Sequence, residues 1–131
     1  MTARNMADYL TAHEQLFDIY ATWSRGFTAD DLAVQSLCPD WDVRGVIAHA
    51  LGVEAVLDGW RPSTETPPPF GKMGDFAARV ADLAPDELAA TVAELTTARL
   101  DHLRSLDPGV VDGPSITPTG VKTYGDFLRI R

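Results

Sequence analysis

The residues best suited to chemistry lie in one segment, residues 38–54, which carries the histidine His49. Pro39 favours an extended chain before the helix of this segment, and Asp42 is a good N-cap for that helix. His49 then falls on the second helical turn. The neutral imidazole of a histidine can donate a lone pair to zinc, while its other ring nitrogen stays free for a supporting hydrogen bond. From spacing alone, however, a lone helical histidine is more typical of a packed core than of a metal site.

Other polar residues have both a structural and a chemical interpretation. We interpret His13 as a core histidine with a hydrogen-bond partner, and the alternative is a residue that lines a pocket at the centre of the protein. Arg99 falls in an apolar stripe, where it either snorkels or pairs with a carboxylate such as Glu54. The alternative for Arg99 is a pocket-lining residue that binds a substrate carboxylate. Cys38 has no fixed base or cation beside it, so we expect a small buried residue, and we expect His102 at the surface.

Helical periodicity dominates the chain and predicts the elements that position these residues. Apolar side chains recur at spacings of three and four, which is typical of helices with one buried face. The predicted helices cover residues 4–24, 43–59, 75–83 and 85–106. Two segments rich in proline and glycine, residues 61–74 and 107–122, are predicted as loops. Trp41 is expected to staple the start of the second helix onto the core.

The last predicted helix begins close to the end of the sequence. Thr123 and Asp126 resemble a capping box, with Asp126 in place of the usual glutamate or glutamine. Isolated helices shorter than about 12 residues are marginal in water, so we expect this helix to continue past Arg131 and the chain to be a fragment. With no alternating strand pattern, the helices predict an all-α antiparallel four-helix bundle whose fourth helix is truncated.

Length and composition narrow the class of protein. The 131 residues suit a single domain, residues 1–131. Lys plus Arg is 11 and Asp plus Glu is 19, giving a formal charge of −8 that phosphate backbones repel and that argues against nucleic-acid binding. We find no apolar run near the roughly 18 residues that a membrane span needs. Because the lone Cys38 cannot form an internal disulfide, we expect a cytoplasmic protein, and the preference for arginine over lysine favours a bacterial origin.

A family resemblance rests on the pattern Cys-Pro-x-Trp-x-Val-Arg-x-Val-x-Ala-His, residues 38–49. This pattern resembles the N-terminal signature of the mycothiol-dependent maleylpyruvate isomerase family, which belongs to the DinB-like group of four-helix metal-binding bundles. Residues 117–120 and 123–131 are similar to the family's approach to its last bundle helix. The resemblance implies a divalent metal, usually zinc, held by a histidine of the second helix and by a glutamate and a histidine of the last. His49 matches the first ligand, and the other two would fall past Arg131.

The resemblance also implies a function. It implies a metal-dependent isomerase or S-transferase that uses mycothiol or a similar thiol as cosubstrate and acts on a small electrophile. The metal would bind the thiol as thiolate, because coordination lowers the thiol pKa, and the thiolate would attack the electrophile. Isomerisation follows if the thiol leaves again, and conjugation follows if it stays. The alternative is a non-catalytic helical module without a complete metal site, which binds a partner or forms a homodimer.

Overall fold

A computed structural model describes residues 4–130 of the chain, which are mostly helical. The helices are α1 (Met6–Ser24), α2 (Ala29–Leu32), α3 (Val43–Leu57), α4 (Met73–Val80), α5 (Pro85–Ser105) and α6 (Tyr124–Ile130). Strands β1 (Pro114–Thr117) and β2 (Gly120–Thr123) form an antiparallel hairpin, and short 3-10 helices cover Phe70–Lys72 and Pro108–Asp112. The all-α prediction therefore fits broadly but omitted a small sheet, and the four-helix arrangement stays a prediction.

The hairpin corrects the prediction of a plain loop over residues 107–122. Its two-residue turn, Pro118 and Thr119, is closed by the pairing of Thr117 with Gly120, whose φ of +107° favours glycine. Thr117 Oγ1 also donates a hydrogen bond to the Gly120 carbonyl oxygen at 2.7 Å. Each strand has only four residues, and β2 shows no alternation of buried and exposed side chains. Sequence periodicity therefore had too little signal to separate these strands from a loop rich in proline and glycine.

Side-chain caps define where the helices begin. Asp42 accepts a hydrogen bond from the Gly45 backbone N–H at 2.8 Å, which confirms the predicted N-cap of α3. The predicted capping box of α6 is also confirmed, because Thr123 Oγ1 accepts from the Asp126 N–H at 3.1 Å. Hydrogen bonds from the Thr123 hydroxyl and N–H hold the pKa of Asp126 below its ordinary value of 3.8. The predicted continuation of α6 past Arg131 lies outside the described residues.

Two apolar clusters form the core. One lies at the α6 end of the molecule, where α6 packs on the hairpin, on the second 3-10 helix and on α1. Its buried members are Met6, Val56, Leu57, Leu103, Leu106, Val111, Tyr124, Phe127 and Leu128. The other cluster fills the space among α2, α3, α4 and α5. Its buried members are Leu32, Ile47, Ala48, Leu51, Phe76, Val80, Leu88 and Val92. Both clusters include residues of α3 and α5, so these two helices connect the two parts of the core.

A buried ion pair lies between the two clusters along α3 and α5. Arg99 Nε is 2.9 Å from Glu54 Oε2, and the two side chains are 1% and 4% exposed. The Arg99 guanidinium also donates from Nη1 to the Leu57 carbonyl oxygen at 3.2 Å. Of the two structural interpretations of Arg99, pairing with Glu54 is therefore confirmed and snorkelling is not. The pair cross-links α5 to the C-terminal half of α3.

Helix α4 packs against a face of α3 made of small residues. A Cβ atom at Gly52 would lie 3.7 Å from the Cε atom and the carbonyl oxygen of Met73, which is ordinary van der Waals contact. Ala48 and Ala55 lie on the same face, so α4 can approach along the length of α3.

Within residues 4–130, no helix is long and apolar enough to cross a membrane.

Candidate functional site

The imidazole of His49 is exposed on α3 and is covered on one face by Trp41. The two rings stack with centroids 4.6 Å apart and an interplanar angle of 26°. Such aromatic pairs contribute about 0.5–1.5 kcal/mol beyond their burial of area. In the part of the chain that the structure describes, neither ring nitrogen of His49 has a hydrogen-bond partner. Among the described residues, the specific contact of this imidazole is therefore its stack with Trp41.

An open cleft of about 780 Å³ lies beside His49, between the N-terminal half of α3 and helix α4. This volume falls in the range of about 300–1,000 Å³ that is typical of small-molecule sites. The polar residues that line it are Gln35, Asp40, Asp42, Arg44 and His49. Trp41, Met73 and several alanines supply the apolar part of the wall. The cleft thus combines an aromatic surface, a free imidazole and groups that can hydrogen-bond a polar ligand.

Arg44 ties the two walls of the cleft together. Its Nη1 atom donates to the carbonyl oxygens of Val80 at 3.0 Å and Leu83 at 2.8 Å, at the C-terminal end of α4. A cation at this end of a helix binds otherwise unpaired carbonyls and opposes the negative end of the helix dipole. The position of α4 relative to α3, and with it the width of the cleft, is therefore fixed in part by Arg44. Arg44 belongs to the family pattern of residues 38–49, but the pattern alone does not indicate this contact between α3 and α4.

The loop before α3 departs from two predictions. Cys38 is exposed, so the expected burial is wrong. The side-chain amide of Gln35 and the hydroxyl of Ser36 donate to the Cys38 carbonyl oxygen at 2.9 and 3.1 Å, which closes the loop through its backbone and leaves the thiol outside. Trp41 is 38% exposed and covers His49, instead of packing the start of α3 onto the core as predicted from the sequence.

The other two histidines lie away from the cleft. His13 is buried, donates from Nδ1 to the Tyr9 carbonyl oxygen at 2.7 Å, and meets the ring of Phe17 edge-on, as expected for a core histidine with a partner. His102 is half-buried instead of lying free at the surface, because its Nε2 donates to the Trp60 carbonyl oxygen at 3.0 Å. Neither His13 nor Arg99 lines the cleft beside His49. Their pocket-lining roles stay predictions.

The donor set can be compared with what a metal ion needs. Zinc sites in proteins use at least three protein ligands drawn from histidine, cysteine, aspartate and glutamate. Residues 4–130 contain no group of three or more such side chains that could hold a metal ion. His49 offers one ligand. The described residues therefore do not fit a resident metal ion by themselves.

The described residues thus form a mostly helical domain with an exposed histidine beside an open cleft whose volume is typical of small-molecule sites. The chain matches the family model "Mycothiol maleylpyruvate isomerase N-terminal domain" over residues 13–131. This match covers most of the chain, including the cleft, His49 and α6, so the chain belongs to that family and the predicted resemblance is confirmed. No curated protein and no solved structure shows significant similarity to the chain.

Proposed function

We propose that this chain catalyses mycothiol-dependent isomerisation or S-transfer on a small electrophile, with the cleft beside His49 as the reaction site. The observation that carries the proposal is the exposed imidazole of His49 at the edge of a cleft of about 780 Å³. Membership of the mycothiol maleylpyruvate isomerase family supports the choice of thiol and of reaction class. A cleft of this size takes a small molecule, and its polar lining suits a hydrophilic cosubstrate.

In the proposed reaction, His49 accepts the proton of the thiol. The S–H bond breaks as an N–H bond forms on the imidazole, and the thiolate attacks the electrophilic carbon to form a C–S bond. When that carbon belongs to a cis double bond conjugated to a carbonyl, addition leaves an enolate and a single bond that can rotate. Collapse of the enolate expels the thiolate and restores the double bond in the trans form. Transfer of the imidazolium proton to the enolate carbon gives the conjugate instead.

Turnover of maleylpyruvate in the presence of mycothiol tests this proposal directly. Proton NMR separates the cis substrate from its trans isomer and from a thioether conjugate in one experiment. We expect product formation that requires both the 131-residue chain and the thiol. A rate no higher than that of mycothiol alone would count against the catalytic proposal.

Zinc binding tests the ligand role that the resemblance assigns to His49. We expect the 131-residue chain to bind zinc weakly, because His49 supplies one of the three or more protein ligands that a zinc site needs. Isothermal titration calorimetry of the native chain and of His49→Ala measures this. Tight binding of one zinc ion per chain would contradict the expectation, and its loss in His49→Ala would assign the ion to the cleft.

A non-catalytic dimerisation module is the second candidate function, favoured by exposed apolar side chains on α1. Ile19 and Trp23 are 58% and 52% exposed and lie four residues apart, so they share one face of the helix. Sedimentation velocity at increasing concentration should then show a dimer that Trp23→Gln converts to a monomer. Val121→Gln is the matched control, because Val121 is 61% exposed but lies on the hairpin. A native chain that stays monomeric throughout would exclude this module.

A further inference from the structure

We propose that Trp41 is a positioning residue for His49, and that Gly45 provides the space in which it acts. The indole face holds the imidazole in one orientation, with the ring nitrogens available at the cleft. The inference rests on the proposed function for its catalytic consequence, while the stack itself can be measured without any turnover.

Hydrogen bonds within its own loop hold the backbone of Trp41 in place, independently of the contact with His49. Its backbone N–H donates to the Cys38 carbonyl oxygen at 3.1 Å, and its own carbonyl oxygen accepts hydrogen bonds from two residues of the same loop. The Ser36 hydroxyl donates to that oxygen at 2.6 Å, and the Gln35 amide donates to it at 2.9 Å. The loop is further joined to the start of α3, because the Val43 N–H donates to the Val34 carbonyl oxygen at 2.9 Å. These hydrogen bonds fix the backbone of Trp41 and therefore the point from which its side chain extends.

Gly45 is the reason that the indole can lie across α3. A Cβ atom added at Gly45 would lie 2.8 Å from Trp41 Cβ, which is closer than real Cβ atoms approach, and 3.1 Å from Trp41 Cγ, which is a tight contact. These are atoms at the root of the tryptophan side chain, which cannot move aside without shifting the whole ring. Gly45 precedes His49 by four residues and so lies one turn away on the same face of the helix. Because Gly45 has no side chain, the indole of Trp41 has space to cross α3 and contact the imidazole of His49.

The arrangement matters because the orientation of a reacting group affects rate. His49 has no hydrogen bond that sets its ring angle within residues 4–130, so loss of the indole would let the ring sample other rotamers. A displacement of about 1 Å in a reacting group can cost about 100-fold in rate. Removing the stack should therefore lower kcat of the proposed reaction about 10- to 100-fold and leave the KM for the thiol nearly unchanged.

The stack has a spectroscopic signature that does not depend on activity. Protons above the face of an indole are shifted upfield by its ring current, so the His49 Hδ2 and Hε1 resonances report the contact. In Trp41→Leu we expect both resonances to move downfield, and in Trp41→Phe we expect most of the shift and most of the turnover to remain. Unchanged His49 resonances in Trp41→Leu would overturn the inference.

Gly45→Ala tests whether the position of the indole matters, because the variant keeps Trp41 but should displace its ring. The variant keeps Trp41 but places a methyl group where the structure leaves no room, so the His49 resonances should move downfield and kcat should fall as in Trp41→Leu. Gly52→Ala is the matched control, because it makes the same change on the same helix at a position with ordinary contact distances. Equal behaviour of the two alanine variants would overturn the role of Gly45.

Failure of the positioning role and failure of the proposed function give different experimental results. A downfield shift in Trp41→Leu together with undiminished turnover would overturn the positioning role while leaving the proposed function standing. The same shift in a chain whose native form shows no thiol-dependent turnover would overturn the proposed function, whereas the stack would remain established.

Discussion

Replacement of Arg99 by methionine is expected to lower the free energy of unfolding by about 3–5 kcal/mol. Methionine keeps much of the length of the side chain and its apolar stem, but it removes the guanidinium that lies 2.9 Å from Glu54 Oε2. Water cannot replace that partner, because the Glu54 side chain is only 4% exposed. The Leu57 carbonyl oxygen loses a donor in the same change. Urea unfolding followed by circular dichroism gives the difference, provided that the m-values agree.

The exposed ion pair of Arg104 and Glu14 is the matched control for Arg99. Its atoms approach to 2.7 Å, but the two side chains are 49% and 48% exposed. Arg104→Met should therefore cost only about 0–1 kcal/mol, since solvent screens an exposed pair. The double variant Arg99→Met with Glu54→Leu should recover much of the loss, because replacing both partners of a buried pair is often close to neutral. Similar losses in Arg99→Met and Arg104→Met would contradict the structural role.

The sequence allowed prediction of features that depend on local signals or on charge within an apolar stripe. The main helices α1, α3 and α5 follow from periodicity over many turns, which averages out local exceptions. Asp42 could be assigned as a cap because its oxygen reaches the N–H of Gly45, three residues ahead. The pairing of Arg99 with Glu54 was accessible because a charge buried in a helix stripe requires an opposite charge on a neighbouring stripe.

The features of the structure that could not be predicted depend on contacts between separate segments or on the space that a glycine leaves. The hairpin consists of two four-residue strands, too short for a period of two to rise above the turn signals of Pro118 and Gly120. Hydropathy shows whether a residue is apolar, but it does not show which surface an aromatic ring covers. Trp41 could therefore be assigned to the core, although the gap at Gly45 directs it to His49 instead.

Replacement of His49 by glutamine is expected to reduce thiol-dependent turnover about 10²- to 10⁴-fold, the usual contribution of a positioned proton acceptor. Glutamine is polar and similar in length, but it cannot take up a proton near neutral pH. Folding should change little, because the His49 side chain is exposed and its stack with Trp41 is worth about 0.5–1.5 kcal/mol. Initial rates at saturating mycothiol measure the effect, and thermal unfolding confirms that the variant is folded.

His102→Gln is the matched control for His49→Gln. His102 is a half-buried histidine on α5 that donates to the Trp60 carbonyl oxygen and does not line the cleft, so turnover should stay close to native. A similar loss in both variants would indicate that histidine substitution disturbs the fold. Native turnover in His49→Gln would remove His49 from the reaction altogether.

Chemical rescue of His49→Ala separates proton transfer from other uses of the imidazole. Alanine leaves a vacancy beside the indole of Trp41, and the cleft is open, so free imidazole can enter and stack where the side chain lay. If His49 accepts the thiol proton, the rate should rise with imidazole concentration and approach a plateau as the vacancy fills. Rescue should fail in the double variant His49→Ala with Trp41→Leu, which keeps the cleft but loses the stacking surface. A rate in His49→Ala that stays flat as imidazole is added would show that proton acceptance is not what this histidine contributes.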